Sequence, residues 1–160
     1  MKIAIGNDHA GFPMKADVLD ILKDLGCDIT DHGSYDENPV DFPDISRKVC
    51  DSVRSGEAER GIMVCGTGVG ASIAANKFPG IRASTIHDVH CAHQGVEHDD
   101  MNVLTMGAKI IGPWLARDII KAYIEARFST NEDFRRRVGK IHLLELDAAK
   151  ELQDKITREN

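Results

Sequence analysis

Cys65 stands directly before a glycine-rich run, Gly66-Thr67-Gly68-Val69-Gly70, and follows a short apolar stretch typical of a buried central strand. Three glycines in five residues let the backbone approach a ligand closely and point several N–H groups in one direction. The helix predicted over 71–77 adds partial positive charge, so this loop suits an oxyanion or a phosphate. The spacing is not that of a dinucleotide fingerprint or a P-loop. A strand-to-helix turn without a ligand stays open as an alternative.

The thiol of Cys65 is the reactive group at this position. Backbone N–H donors and the start of a helix would stabilise its thiolate, which could act as a nucleophile, a redox sensor or a general base. Cys27 and Cys50 are predicted to be inert core residues. The four cysteines are widely spaced and form no C-x-x-C pair, so neither a disulfide framework nor a thiolate metal site is predicted.

His98 is the second candidate for proton transfer, because it lies among the carboxylates of Glu97, Asp99 and Asp100. Taken alone, a solvated surface loop would be the better interpretation of this segment. Three other histidines are spaced by three residues, as on one face of a helix, without an added carboxylate pattern: His87, His90 and His93. We therefore predict no metal site.

Basic residues supply the third feature. Lys109 follows a predicted strand, and Arg135-Arg136-Arg137 lies between two helical stretches. Such a run is usually a solvated face, but its guanidinium groups could also pair with a phosphate.

The elements that must position these residues alternate between short apolar runs and amphipathic stretches. This alternation predicts one α/β domain over residues 1–160, a three-layer Rossmann-like fold with a doubly wound parallel sheet. Ligands bind outside the carboxyl ends of the strands in such sheets. The loop Asp8-His9-Ala10-Gly11 and the glycine run both follow strands at that edge. Strands are predicted over 2–6, 27–32, 61–65, 81–86 and 102–105, and helices over 12–25, 44–55, 71–77 and 113–128.

A charged helical extension is predicted over about 131–160. It carries an apolar stripe formed by Ile141, Leu143, Leu144, Leu146 and Leu152. The stripe would pack either on a partner subunit or on its own domain, and the sequence leaves both open.

Composition excludes several classes of protein. The net charge of −6 over 160 residues argues against nucleic-acid binding. The apolar runs are too short to span a membrane, and we expect no signal peptide, because Met1-Lys2 leads directly into a predicted strand. We expect a cytoplasmic protein with reduced thiols.

Together these segments resemble the ribose-5-phosphate isomerase B and galactose-6-phosphate isomerase family over nearly the whole chain. The most specific match is the stretch from Cys65 to Ala83, and further matches are Asp8-His9-Ala10-Gly11, Asp41-Phe42-Pro43-Asp44, His98, Asn102-Val103-Leu104, Gly107 and Arg137-Val138. The resemblance implies a Rossmann-like subunit that forms dimers or tetramers, with each active site built at a subunit interface. It implies an aldose–ketose isomerase of a phosphorylated sugar that needs no cofactor or metal.

The resemblance also implies a role for each matching residue. Cys65 would move a proton between C1 and C2 of the sugar, with Thr67 beside it, and His98 would open the furanose ring. Asp8 and His9 would contact the sugar and its phosphate, Arg137 would bind the phosphate, and Lys109 stands where the family often has Arg. The implied substrate-binding set is Asp8, His9, Gly66, Gly68, Val69, Gly70, Asp99, Lys109 and Arg137.

Three departures from the family pattern bear on the substrate. Asp99 stands where Asn is usual, and Phe42 stands where Tyr is common. The segment 130–134 replaces the family's Gly-Gly-Arg-His, which removes one phosphate-binding Arg unless Arg135 or Arg136 takes its place. The expected substrate is ribose 5-phosphate or a close four- to six-carbon analogue. A non-catalytic sugar-phosphate binding protein and a thiol redox sensor using Cys65 are the alternatives.

Overall fold

A computed structural model describes residues 1–159 of the chain. Within these residues five strands form one parallel sheet in the order β2-β1-β3-β5-β4: β1 (Lys2–Asn7), β2 (Asp28–Asp31), β3 (Arg60–Cys65), β4 (Ala83–Thr85) and β5 (Val103–Gly107). The described residues also form six helices: α1 (Phe12–Asp24), α2 (Phe42–Ser55), α3 (Val69–Ala75), α4 (Val89–Asp99), α5 (Pro113–Glu125) and α6 (Glu132–Glu159). The predicted α/β fold with a doubly wound parallel sheet is confirmed.

The central strand β3 is buried on both of its faces. Ile62 and Val64 pack into the core formed with α1, α4 and α5, whereas Met63 and Cys65 pack with residues of α2 and α3. This alternation follows from the two-residue repeat of a strand. It places the Cys65 side chain on the α2/α3 face of the sheet, at the carboxyl end of its strand.

The crevice of the sheet lies between β1 and β3. After β1 the chain forms β2 on one side of this crevice. After β3 it forms β4 and β5 on the other side, so the loops after β1 and β3 diverge. Open α/β sheets bind ligands at this switch point. The loop after β1 crosses β3 so closely that a Cβ on Gly11 would collide with the carbonyl of Val64.

Several predicted boundaries need correction. The helix after the glycine run begins at Val69, two residues earlier than predicted, and the predicted strand over 81–86 is ordered as a strand only over Ala83–Thr85. No element was predicted over Val89–Asp99, but α4 forms there. His98 lies in its last turn rather than in a loop. The predicted C-terminal helix is confirmed as α6, and Asn160 lies outside the described residues.

Helix α6 packs only partly on its own domain. It contacts α4, and the Glu145 carboxylate accepts the N–H of Gly80 at 3.1 Å. Leu143, Leu144 and Leu146 remain more than half exposed. Over the described part of the chain, no helix has the length and apolar character needed to cross a membrane.

Candidate active site

The Cys65 thiol lies under the loop that follows it. Its sulfur accepts a hydrogen bond from the backbone N–H of Gly68 at 2.8 Å, and the side chain is 6% exposed. Gly68 has a φ of 83°, a left-handed conformation that favours glycine and turns its N–H back toward the sulfur. Because α3 has only seven residues, this N–H, rather than a helix dipole, is the donor that the loop offers to the sulfur.

The loop of residues 66–70, hereafter the glycine loop, rests on the ends of β4 and β5. The Gly68 carbonyl accepts hydrogen bonds from the hydroxyls of Thr105 at 2.9 Å and Thr85 at 3.2 Å. Gly107 allows the close approach, since a Cβ there would lie 2.7 Å from the Cα of Thr67. These contacts hold the Gly68 N–H in place, so the donor to Cys65 is fixed before any ligand binds.

Lys109 and the loop after β1 flank the first glycine of this loop. The Lys109 N–H donates to the Gly66 carbonyl at 3.1 Å. A Cβ on Gly66 would lie 3.4 Å from the Cβ of Ala10 and 3.8 Å from the Cδ of Lys109. The structure thus brings the loop of Asp8 and His9, the glycine loop and Lys109 together around the crevice.

Asp8 and His9 have different settings within this cluster. The buried Asp8 carboxylate accepts the N–H of Gly11 at 2.8 Å and so shapes the turn into α1. The Nδ1 of half-buried His9 accepts the N–H of Val40 at 3.3 Å. Because Nδ1 is an acceptor, the neutral ring of His9 carries its proton on Nε2 and can donate it to an anion.

Thr67, Val69 and Gly70 form the outer rim of the glycine loop. Thr67 and Val69 are exposed, and the Thr67 hydroxyl accepts the N–H of Val69 at 3.4 Å. Gly70 faces the ring of Phe42, whose Cζ would lie 3.0 Å from a Cβ on Gly70. Phe42, the first residue of α2, therefore places an aromatic ring without a hydroxyl beside the glycine loop.

His98 belongs to a second cluster, between α4 and α6. Its imidazole stacks on Phe134 with ring centroids 3.9 Å apart and planes 18° apart. Its Nε2 lies 3.6 Å from the Glu97 carboxylate. The guanidinium of Arg137 lies 5.7 Å from the centroid of the same Phe134 ring, and exposed Asp99 follows His98 at the end of α4.

The two clusters lie at opposite edges of the sheet. Cys65 pairs with Gly107 at the carboxyl edge, whereas His98 lies just before β5, whose first residue pairs with Gly61 at the amino edge. Four residues of strand, about 13 Å, separate these edges. The cause is that α4 runs antiparallel to the strands and ends where β5 begins. One chain therefore does not bring His98 to Cys65.

We call the first cluster the thiol half-site; it comprises Asp8, His9, Cys65, the glycine loop and Lys109. The histidine half-site comprises His98, Asp99, Phe134 and Arg137.

The three consecutive arginines of α6 have separate contacts. Arg136 pairs with Asp133, which holds the pKa of that carboxyl below its ordinary value. Arg135 lies over the ring of Phe128 at 4.9 Å. Arg137 shares the Phe134 ring with His98. Of the three, Arg137 is the one that these contacts place in the histidine half-site.

Sequence reasoning missed several residues that support the site. No sequence pattern assigned four of them to the site: Thr85, His87, Thr105 and Phe134. The Nε2 of His87 accepts the N–H of Gly107 at 3.0 Å. Thr85 ends β4 and pairs with Thr105 in β5, and this cross-strand pairing was not visible in the sequence. Within residues 1–159, no three His, Cys, Asp or Glu side chains are grouped as a metal site requires.

A groove of about 680 Å³ lies elsewhere, between β4 and α6. Its lining includes Ile86, Met101, Ile141 and Leu144, as well as Asp99, but not Cys65. Its lining also carries the Asp88 and Glu145 carboxylates and the Cys91 thiol, but it contains neither the Cys65 thiol beside the Gly68 N–H nor the His98 imidazole. We therefore place the chemistry in the half-sites rather than in this groove.

Comparison with known proteins identifies the family and agrees with the fold. A family model described as Ribose/Galactose Isomerase matches residues 3–141. The chain is 41% identical over 129 residues to ribose-5-P isomerase B of Listeria innocua, covering 81% of this chain and 87% of the relative. It is 40% identical over 131 residues to D-erythrulose-4-phosphate isomerase of Pectobacterium atrosepticum, covering 80% and 85%. The solved structure of ribose-5-phosphate isomerase B from Clostridium thermocellum superposes with a TM-score of 0.89 at 43% identity, covering 92% of this chain and 99% of that one.

Proposed function

This chain belongs to the ribose/galactose isomerase family and is a sugar-phosphate isomerase, and we propose that its substrate is ribose 5-phosphate or a close four- to six-carbon analogue. The similar proteins named as acting on five- and four-carbon sugar phosphates support this range. The sequence departures at Phe42, Asp99 and 130–134 are the reason to keep the analogues in the proposal.

The proposed base is Cys65. Its thiolate would take the proton from C2 of the open-chain aldose, and the electron pair would move into a C1–C2 double bond to form an enediolate. The thiol would then return a proton to C1, while a proton moves between the two oxygens, and the ketose results. General acid–base catalysis of this kind contributes about 10²–10⁴-fold.

The observation that carries this proposal is the N–H of Gly68 held 2.8 Å from the Cys65 sulfur. A hydrogen bond from a backbone amide favours the charged form of a thiol, which is the form that acts as a base. Other N–H groups of the glycine loop are proposed to stabilise the enediolate oxygen. One such donor is typically worth about 10²–10³-fold in rate.

Ring opening is assigned to His98 of a second copy of the chain. The thiol and histidine half-sites lie at opposite edges of one sheet. A two-fold dimer would bring the thiol half-site of each chain to the histidine half-site of the other, which gives two complete sites. Exposed apolar side chains support an interface. At the carboxyl edge Trp114 is 91% exposed and Ile110 and Val69 are more than half exposed, and α6 exposes Leu143 and Leu144.

The phosphate is assigned to His9, Lys109 and Arg137. His9 presents an Nε2–H donor, because its Nδ1 is occupied by the Val40 N–H. Lys109 flanks the glycine loop, and the Arg137 guanidinium would arrive with the histidine half-site of the second copy. The positive charges of Lys109 and Arg137 allow an anionic substrate to bind despite the net charge of −6. The proposed chemistry requires no cofactor or metal, and its cytoplasmic setting stays a prediction.

A turnover screen over aldose and ketose phosphates of four to six carbons tests the function, together with Cys65→Ser. We expect turnover of at least one pair, lost by about 10²–10⁴-fold in Cys65→Ser with sugar-phosphate binding retained. The control Cys91→Ser changes an exposed thiol on α4. If the wild type and Cys65→Ser both bind sugar phosphates without turning them over, the chain is a binding protein instead. If the wild type has no sugar-phosphate activity but responds to peroxide, and Cys65→Ser loses that response, the chain is a redox sensor.

A further inference from the structure

We infer that Phe134 is a positioning residue for the histidine half-site, which orients the His98 imidazole for ring opening and keeps Arg137 beside it. The inference rests on the proposed function, because it assigns Phe134 a part in the step proposed for His98. Phe134 lies in the segment that departs from the family pattern, so neither the resemblance nor the comparisons assign it a role.

The ring of Phe134 makes a defined contact with the imidazole. At a centroid distance of 3.9 Å and an interplanar angle of 18°, the two rings are nearly parallel and in van der Waals contact. The terminal torsion of a histidine is broad on its own, so a stacked neighbour restricts which way its nitrogens point. The 3.6 Å contact to Glu97 is a weaker restraint, because that carboxylate also lies 3.5 Å from His93.

Local contacts fix the position of Phe134 relative to α4. The N–H of Ser129 donates to the Glu97 carbonyl at 3.0 Å and ties the segment before α6 to the last turn of α4. The Asn131 side chain then accepts the N–H of Asp133 at 2.8 Å, as a helix N-cap does. Helix α6 therefore starts at a defined point, and Phe134 falls on the face toward His98.

The same ring links the two functional side chains of this half-site. The Arg137 guanidinium lies one turn along α6 and 5.7 Å from the Phe134 centroid, within the range of a cation–π contact. Removing the ring would free both the imidazole and the guanidinium. Proton transfer to a ring oxygen requires an imidazole nitrogen held to within about 0.5 Å and 10–20°.

Phe134→Leu tests this inference, with Phe128→Leu as the matched control. Phe128 lies under Arg135 in the same way that Phe134 lies under Arg137, but it belongs to neither half-site. Isomerisation of ribose 5-phosphate, which is mostly a closed ring, is expected to fall about 10–100-fold in Phe134→Leu. It should change little in Phe128→Leu, and Phe134→Tyr, which keeps the stacked ring, should restore the rate.

A second readout separates positioning from general damage. Ribulose 5-phosphate is acyclic because its C5 hydroxyl carries the phosphate, so solvent deuterium exchange at its C1 needs the thiol half-site but no ring opening. At saturating ribulose 5-phosphate, where weaker phosphate binding by Arg137 no longer limits the rate, we expect this exchange to fall less than about threefold in Phe134→Leu, since the acid–base step at Cys65 is intact. Equal losses of isomerisation and exchange, or no loss of isomerisation, would overturn the inference. A wild-type chain without turnover of any sugar phosphate would instead overturn the proposed function.

Discussion

Cys65 and His98 lie at opposite edges of one parallel sheet, with the thiol on the last residue of β3 and the imidazole in the last turn of α4, which leads into β5. A reaction that uses both groups at one substrate therefore needs two copies of the chain. The family resemblance implies an active site at a subunit interface, and the separation of Cys65 from His98 makes two chains per site a requirement that can be tested in this protein.

Gly107→Ala is expected to damage catalysis through the glycine loop. A Cβ at this position would lie 2.7 Å from the Cα of Thr67, and backbone at that distance has to move. Because the loop carries the N–H that contacts Cys65, kcat should fall about 10²-fold while the protein stays folded at the assay temperature. The control is Gly112→Ala, where no heavy atom lies within 4 Å of the new Cβ. Equal activity of the two variants would show that the loop position is not important.

Asp99→Asn should be tolerated or should improve turnover of ribose 5-phosphate. Asp99 is the exposed last residue of α4, so its charge lies at the partially negative end of the helix. It would also stand beside the developing enediolate if the half-sites meet. Steady-state kcat and KM for ribose 5-phosphate measure the effect. A large loss would mean that the carboxylate has acquired a role of its own.

Stability should decline in alkaline solution because of Cys50. Burial raises the pKa of this thiol from 9.0 to about 12. Between these values the unfolded chain loses the proton while the folded chain keeps it, so the free energy of unfolding falls as pH rises, by up to about 1.4 kcal/mol per pH unit for one group. Urea unfolding between pH 8.5 and 10.5 measures the slope. Cys50→Ala should reduce it, while the similarly directed effect of buried Tyr123 remains. An unchanged slope in Cys50→Ala would contradict the assignment.

Removing the chain after Val138 should weaken self-association. The deleted part of α6 carries Leu143, Leu144 and Leu146, which are more than half exposed in one chain and would be covered in an assembly. Sedimentation equilibrium of the full and shortened chains measures the change. A full-length variant, Leu143→Glu with Leu146→Glu, should act in the same direction without removing the helix. Identical association constants for all three would show that α6 packs only on its own domain.

The sequence was sufficient to predict the thiol half-site but not the arrangement of the whole site. An apolar strand, a terminal cysteine and closely spaced glycines are local signals, and β3 ends at Cys65 as predicted, although the helix after it begins two residues earlier, at Val69. Helix α4 is different, because it buries only Ala92 and Val96 and contains Gly95, so its periodicity is weak. The Asp88 side chain accepts the Cys91 N–H as a helix cap, which lowers the pKa of Asp88, and this was the signal available in the sequence.

The position of His98 depends on the parallel pairing of β4 and β5, which is set by contacts between strands rather than by the residues around His98. Because the two strands are parallel, the chain returns through α4 to the amino edge before it enters β5. Phe134 shows the same limitation, since its contact with His98 joins residues of two helices that are separated along the chain.

Mixing two inactive variants tests the shared site most directly. Cys65→Ser and His98→Asn chains would be unfolded, mixed in equal amounts and refolded together. If each site takes its thiol from one chain and its imidazole from the other, half of the dimers contain one intact site, and activity should return to about a quarter of the wild-type value. No recovery, with mixed dimers shown to form by mass spectrometry, would contradict a site built from two chains.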